Sequence, residues 1–229
     1  KEDFNLVIGE GRYTDDVQLK RMTYMGVFRS PHAHAKIIRV DVSDAWTHKG
    51  VLAILVGDDI RQFCNKPLPL VGPLDNNASK TRWALTGDEV RFVGEPIAAV
   101  VATSRDVVRD ALDDIYVEFE ILPAIVEIED AIAEDAHLVH RDMENNVCIE
   151  TSGEVGDTEK AFRESYGIVT TILQHPRVIP NPMEPRAAVA SFERGSGVLN
   201  VWVTTQEPHS DRGDISDVLG IPENKVRVV

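Results

Sequence analysis

The chain has 229 residues, of which 43% are hydrophobic, and 38 acidic against 24 basic side chains give it a net charge of −14. This length allows one large globular domain or two modest ones. The negative charge disfavours nucleic acid and anionic membranes as partners, because both are polyanions. No apolar run reaches the roughly 20 residues that span a bilayer, so we expect a soluble protein.

The two cysteines, Cys64 and Cys148, lie far apart and outside any CxxC spacing. They indicate neither a disulfide scaffold nor a thiolate metal site, and they favour a cytoplasmic protein. The chain starts at Lys1 without an initiator methionine and stops at Val229 within an apolar, strand-like segment. We therefore expect it to be a piece of a longer polypeptide.

Periodicity in the first half predicts a strand–helix–strand unit. Three segments have the alternating or continuous apolar pattern of strands: 36–42, 51–56 and 96–102. Ser104 is placed to cap a helix that runs to about Ile115, whose apolar residues share one face. Residues 116–121 then alternate as a strand with one solvent-facing side.

Two irregular stretches interrupt this pattern. Residues 62–80 predict a long loop, because they contain turn-forming residues without a sustained period: Pro67, Pro69, Gly72, Pro73, Asn76 and Asn77. Polar residues dilute the apolar ones at 133–153, which favours a domain boundary there. The predicted domains are 1–135 and 140–229.

The second half predicts further α and β elements. In chain order they are a helix capped by Asp157 that runs through Tyr166, a strand over 167–173, a hairpin formed by 187–192 and 198–204, a helix over 209–219 and a strand from Lys225. Glycines within Arg194–Gly195–Ser196–Gly197 suit the hairpin turn, and Gly220 and Pro222 are placed to stop the last helix. The predicted class is α+β.

Three patterns are candidate sites when they are interpreted without reference to a family. His32 and His34 would lie on one face of a strand, as two metal ligands or as structural histidines, and no third ligand is identifiable nearby. Glu184 and Arg186 suit a structural salt bridge at a strand entrance or a ligand clamp. Gln206 lies between a predicted strand and a predicted helix, where α/β folds often present side chains to ligands.

Five segments together resemble the molybdenum hydroxylase family, which includes xanthine dehydrogenase, aldehyde oxidase and aerobic carbon monoxide dehydrogenase. They are 11–16 (GRYTDD), 28–35 (FRSPHAHA), 90–98 (VRFVGEPIA), 180–186 (PNPMEPR) and 205–209 (TQEPH). The resemblance spans nearly the whole chain. It implies an α/β hammerhead domain up to about residue 135, followed by the start of a molybdopterin-binding domain.

The resemblance also implies a cofactor and partners. Molybdenum is held by molybdopterin in this family, and a glutamine that matches Gln206 hydrogen-bonds to an oxygen ligand of the metal. Glu184 and Arg186 would give structural support. The implied reaction hydroxylates a carbon centre of a small molecule, or oxidises CO, with oxygen derived from water. The electrons would leave through iron–sulfur clusters and FAD, which we expect on an iron–sulfur subunit and a flavin subunit.

Two features of the family pattern fall beyond Val229. They are a glycine-rich cofactor loop and the catalytic glutamate, so we expect no catalytic residue within this chain and no activity from the chain alone. Two alternatives stay open at this point. One is a non-catalytic assembly module that contacts partner subunits, and the other is a small metal hydrolase that uses His32 and His34.

Overall fold

A computed structural model describes residues 3–69 and 80–229. The helices are α1 (Asp3–Val7), α2 (Arg105–Asp113), α3 (Ile128–Ile132), α4 (Thr158–Glu164) and α5 (Pro208–Leu219). Short 3-10 turns cover Thr14–Asp16, Ala45–Thr47, Gly57–Gln62 and Glu223–Lys225. The predicted loop residues Gly72, Pro73, Asn76 and Asn77 lie outside the described residues.

Nine strands among the described residues form three sheets of three strands each. They are β1 (Tyr24–Arg29), β2 (Ala35–Asp41), β3 (Val51–Val56), β4 (Glu89–Val90), β5 (Pro96–Ala102), β6 (Tyr116–Ile121), β7 (Ala188–Glu193), β8 (Val198–Val203) and β9 (Val226–Val228). The sheet orders are β1-β5-β3, β4-β2-β6 and β7-β8-β9. The predicted α+β class is confirmed.

Strand β5 lies at the centre of the first sheet, antiparallel to β1 and β3. Its continuous apolar sequence fits this position because both of its faces are buried. Helix α2 packs on this sheet, and Ser104 caps it as predicted, with its hydroxyl accepting from the Val107 amide at 3.3 Å. A Cβ at Gly26 would overlap Val108, so glycine allows the close approach of helix and sheet.

The second sheet shares a core with the first. Ala35, Val90 and Ile97 form its buried cluster. Phe28, Val40 and Val117 pack against this cluster and also against the cluster under α2. The first half of the chain therefore has one continuous hydrophobic core.

The third sheet contains the predicted hairpin and the predicted final strand. Strands β7 and β8 are antiparallel, and Gly197, at a φ of 68°, donates its amide to the Glu193 carbonyl at 2.8 Å. Helix α5 connects β8 to β9, which runs parallel to β8. Gly220 ends α5 in the left-handed conformation, at a φ of 65°, as its position in the sequence predicts.

The strand predicted over 167–173 is wrong, because the structure has no regular element there. The segment has the composition of a strand, but it pairs with none of the described strands, and Val169 is 92% exposed. The helix α4 starts after its predicted cap Asp157, whose carboxylate accepts from the Lys160 amide at 2.9 Å.

None of the helices within 3–69 and 80–229 combines the length and apolar character needed to cross a membrane.

Gly57 provides a stability test of this fold, because it touches the backbone of a distant segment. A Cβ at Gly57 would lie 2.6 Å from the Gly87 nitrogen and 2.8 Å from the Thr86 carbonyl oxygen. We expect Gly57→Ala to lower the free energy of unfolding by about 1–3 kcal/mol, because backbone must move to relieve the overlap. Urea denaturation measures this change. Gly195→Ala is the control, since nothing lies within 4 Å of its added Cβ; equal losses in both variants would contradict the close approach.

Candidate functional site

Gln206 lies in the turn that joins the end of β8 to the start of α5, as its position in the sequence predicts. A hydrogen bond within the turn stabilises it: the Thr205 hydroxyl accepts from the Glu207 amide at 3.0 Å. The Gln206 side chain is exposed, and no hydrogen bond within the described residues involves its amide. The amide is therefore available to donate to, or accept from, a ligand.

Glu184 ties the base of this turn to the N-terminal segment. Its Oε1 accepts from the Thr14 backbone amide at 2.9 Å and lies 3.5 Å from the Thr204 hydroxyl. That hydroxyl also donates to the Pro185 carbonyl at 3.2 Å. The Glu184 carboxylate thus joins three segments, and it meets the β8 end at Thr204, two residues before Gln206. This contact was not predictable from local pattern.

The predicted salt bridge between Glu184 and Arg186 is wrong. The ion pairs of the described residues include neither side chain. The Glu184 carboxylate is turned toward Thr14 and Thr204 instead. Arg186 lines a cavity of about 900 Å³, which Arg105 also lines.

His32 and His34 do not form the predicted pair on one face of a strand, because both lie in a bend between β1 and β2. The His34 ring lies between the Pro123 carbonyl, 2.7 Å from Nδ1, and Glu89, 3.0 Å from Nε2. The His32 ring packs edge-on against Phe119, with centroids 4.9 Å apart. The two imidazoles face different surroundings, and among residues 3–69 and 80–229 no three His, Cys, Asp or Glu side chains are grouped for a metal.

Glu89 is the centre of a buried polar cluster that the sequence did not single out. It is 7% exposed, and it contacts His34 and two guanidinium groups. Arg91 lies 3.6 Å from Oε1, and Arg141 lies 3.6 Å from Oε2. Because Arg141 lies at the start of the second predicted domain, Glu89 on β4 joins that segment to the second sheet.

Glu95 is a second buried carboxylate beside this cluster, and it is 4% exposed. Its Oε2 accepts from the Arg91 amide at 2.6 Å. Burial raises the pKa of Glu95 above its ordinary value, although that hydrogen bond and the charges of Arg91 and Arg82 act in the opposite direction. With Trp83, the two arginines and Glu95 line a second cavity of about 450 Å³. The sequence signal that could have identified this buried carboxylate is the position of Glu95 directly before the buried strand β5.

The contact between Glu184 and Thr14 can be tested by stability. We expect Glu184→Ala to lower the free energy of unfolding by about 1–3 kcal/mol, because a partly buried backbone amide loses its acceptor. Glu184→Gln should retain most of the stability, since its amide oxygen still accepts. Chemical denaturation measures both variants; an equal loss in both would show that charge, and not acceptance of this hydrogen bond, is the stabilising property.

The raised pKa of Glu95 makes stability depend on pH. Between the ordinary value of 4.5 and the raised folded value, the native state binds more protons than the unfolded state, so the free energy of unfolding falls as pH rises through this window. We expect Glu95→Gln to reduce that fall. Denaturant melts between pH 4.5 and pH ~7 measure it. Exposed Glu129→Gln is the control; parallel pH profiles of wild type and Glu95→Gln would contradict the assignment.

Two family models match this chain. The a/b hammerhead domain of aldehyde oxidase and xanthine dehydrogenase matches residues 8–123. The molybdopterin cofactor-binding domain matches residues 139–229.

Curated relatives and solved structures agree with these matches. The carbon monoxide dehydrogenase large chain of Hydrogenophaga pseudoflava is 31% identical over 100% of this chain and 29% of that protein. The nicotinate dehydrogenase large molybdopterin subunit of Eubacterium barkeri is 34% identical over 97% of this chain and 50% of that protein. The crystal structure of quinoline 2-oxidoreductase from Pseudomonas putida 86 superposes with a TM-score of 0.90 at 34% identity, over 100% of this chain and 29% of that one.

The chain thus spans between 29% and 50% of the length of these three proteins. Both matches occur in the order that the sequence motifs predict, and the hammerhead match covers more than half of the chain. The chain belongs to the aldehyde oxidase and xanthine dehydrogenase family, and it consists of a hammerhead domain followed by the start of a molybdopterin cofactor-binding domain.

Proposed function

We propose that this chain is part of the molybdopterin-binding subunit of a molybdenum hydroxylase that oxidises an aldehyde, an N-heterocycle or CO with oxygen derived from water. The observation that carries the proposal is the exposed Gln206 amide at the β8–α5 turn, within the region that matches the molybdopterin cofactor-binding domain. Relatives named as large subunits of CO and nicotinate dehydrogenases support it. The proposed domain bounds are 1–135 and 140–229.

The residues at the turn fit a molybdenum cofactor. Gln206 has a neutral amide with no hydrogen-bond partner among the described residues. Such an amide donates to an oxygen ligand of a metal without adding charge and without replacing a metal ligand. The chemistry that molybdopterin supplies when bound is the oxidation of a carbon centre by two electrons.

The role of this chain is to position the Gln206 amide. Thr205 holds the turn, and Glu184 fixes its base against Thr14. A polar group held by neighbouring hydrogen bonds needs little reorganisation when its partner arrives. Glu184 is thus proposed as a positioning residue, and Arg186 is proposed as structural support two residues farther along the chain, without an ion pair within the described residues.

The remaining parts of the proposed enzyme lie on other segments and chains. They are the rest of the molybdopterin-binding region with the catalytic glutamate, an iron–sulfur subunit and a flavin subunit with FAD. Relatives that are named as a large chain or as a subunit of a complex support a multi-subunit assembly. A cytoplasmic location belongs to the same proposal, and it is supported by the two free cysteines, Cys64 and Cys148.

A non-catalytic assembly module is the second candidate, and one observation favours it. Apolar side chains along residues 166–183 are exposed, including Val169, Ile172 and Ile179. An apolar stretch of this kind is typical of a surface that another polypeptide covers. In this alternative, Gln206 has no part in turnover.

Replacing Gln206 in the assembled enzyme separates the two candidates. We expect Gln206→Ala to reduce kcat by about 10- to 100-fold, because a hydrogen bond to a metal's oxygen ligand is lost. The molybdenum content should be unchanged, and the electron paramagnetic resonance spectrum of molybdenum should shift. Gln62→Ala removes another exposed amide and is the matched control. Full turnover with an unaltered molybdenum spectrum in Gln206→Ala would refute the proposed role and favour the assembly module.

A further inference from the structure

Helix α5, which begins two residues after Gln206, ends against a segment of the hammerhead domain. The Asn65 backbone amide donates to the Val218 carbonyl at 2.7 Å. The Nζ atom of the next residue, Lys66, lies 2.9 Å from Oδ2 of Asp217. Residues 65 and 66 therefore contact the last turn of α5, whereas Gln206 lies beside its first turn.

The Asn65 amide satisfies a carbonyl group that the helix cannot satisfy by itself. The last four carbonyl groups of an α-helix have no N–H partner within the helix, and the carbonyl of Val218 is one of them. Residue 65 lies in the match to the hammerhead domain, and α5 lies in the match to the cofactor-binding domain. The ion pair of Lys66 adds little, because both of its side chains are exposed to solvent. The hydrogen bond from Asn65 is therefore the stronger of the two contacts.

The side chain of Asn65 packs closely on Gly220, the residue directly after α5. A Cβ at Gly220 would lie 2.8 Å from Cγ of Asn65 and would overlap its Nδ2. The φ of Gly220 is 65°, in the left-handed region that favours glycine. Glycine at this position therefore ends the helix and also leaves room for Asn65.

The segment that contacts α5 is itself fixed within the hammerhead domain. Cys64 is 8% exposed, and its amide donates to the Ile60 carbonyl at 3.0 Å. Farther along, the Leu68 amide donates to the Arg82 carbonyl at 2.8 Å. Asn65 thus lies between two anchored residues and offers α5 a fixed point of attachment.

The position of α5 depends on such contacts, because the helix has little buried surface of its own. None of the described residues 208–219 is buried, whereas α2 buries Val108 and Ala111, so apolar packing stabilises the position of α5 less. Internal hydrogen bonds make its 12 residues a stiff rod about 18 Å long. A displacement at the Val218 end therefore tilts the helix and moves the end beside Gln206.

We infer that Asn65 is a positioning residue for Gln206. Its backbone amide fixes the C-terminal end of α5, while Glu184 fixes the base of the turn at the N-terminal end. Two points of attachment set the direction of a rod, whereas a single point leaves it free to pivot. The inference rests on the proposed function of Gln206, and it gives the hammerhead domain a part in holding the turn that contains this residue.

A side chain inserted at Gly220 tests the attachment without turnover. Asparagine tolerates a positive φ, so Gly220→Asn pushes Asn65 away from α5 with little backbone strain. Two backbone amides report the result in the assembled enzyme: that of Asn65, and that of Asp211, which is hydrogen-bonded at the start of α5. We expect both to exchange with deuterium about threefold faster or more, as measured by mass spectrometry of peptides.

Gly197→Asn is the matched control, because Gly197 has a φ of 68° and nothing lies within 4 Å of its added Cβ. It should leave both amides unchanged. Adding Asn65→Ala to Gly220→Asn removes the crowded side chain but keeps the backbone amide, and it should restore slow exchange. Unchanged exchange at Asn65 in Gly220→Asn would refute the close contact. Unchanged exchange at Asp211 while Asn65 exchanges faster, or no restoration by the second substitution, would overturn the inference.

The electron paramagnetic resonance spectrum of molybdenum separates this inference from the proposed function. We expect Gly220→Asn to lower kcat about tenfold or more at unchanged molybdenum content, because a small misplacement of a polar group is costly to turnover. The spectrum should shift in the direction that Gln206→Ala shifts it, and Gly197→Asn should have neither effect. A spectrum that shifts in Gln206→Ala but not in Gly220→Asn would overturn the role of Asn65 alone. A spectrum that stays unchanged in Gln206→Ala would overturn the proposed function instead.

Discussion

The burial of strand β5 is the constraint on which the first half of the molecule depends. The strand forms hydrogen bonds with β1 on one side and β3 on the other, and α2 packs on the sheet that the three strands form. Ala98 and Val100 belong to the cluster under α2, whereas Ile97 belongs to the cluster of the second sheet. Because one strand contributes to both clusters, the two sheets cannot shift independently.

In this arrangement, the residues that stabilise the fold are separate from the polar residues that are candidates for ligand binding. The hammerhead core is apolar and closed, while polar groups that are candidates for function lie at its margins or in the second region. Glu89 and Glu95 lie on either side of Arg91, where the segment around Arg141 meets the core. Gln206 lies on the other region, on a turn whose base is fixed by a contact from the N-terminal segment. The exposed amide is therefore held by a framework that extends through both family domains.

Local pattern predicted most of the regular elements, because their causes are local. The continuous apolar run of β5, the cap at Ser104 and the glycines at 197 and 220 each act within a few residues. The position of Gln206 between strand and helix follows from the same kind of signal. The predictions that failed depend on distant partners. Residues 167–173 have strand composition without a described neighbouring strand, and His34 is buried by Glu89 and Pro123 from remote segments.

The contact between Glu184 and Thr14 joins residues that are 170 positions apart in the chain. Closing so long a loop costs conformational entropy before any contact compensates for it. The six strands of the hammerhead region, by contrast, are complete once residue 121 has been synthesised. We therefore expect the turn that contains Gln206 to acquire its final geometry late in folding, after the N-terminal segment has formed. The order of synthesis on the ribosome favours this sequence of events, since the first half emerges and folds before its distant partner exists.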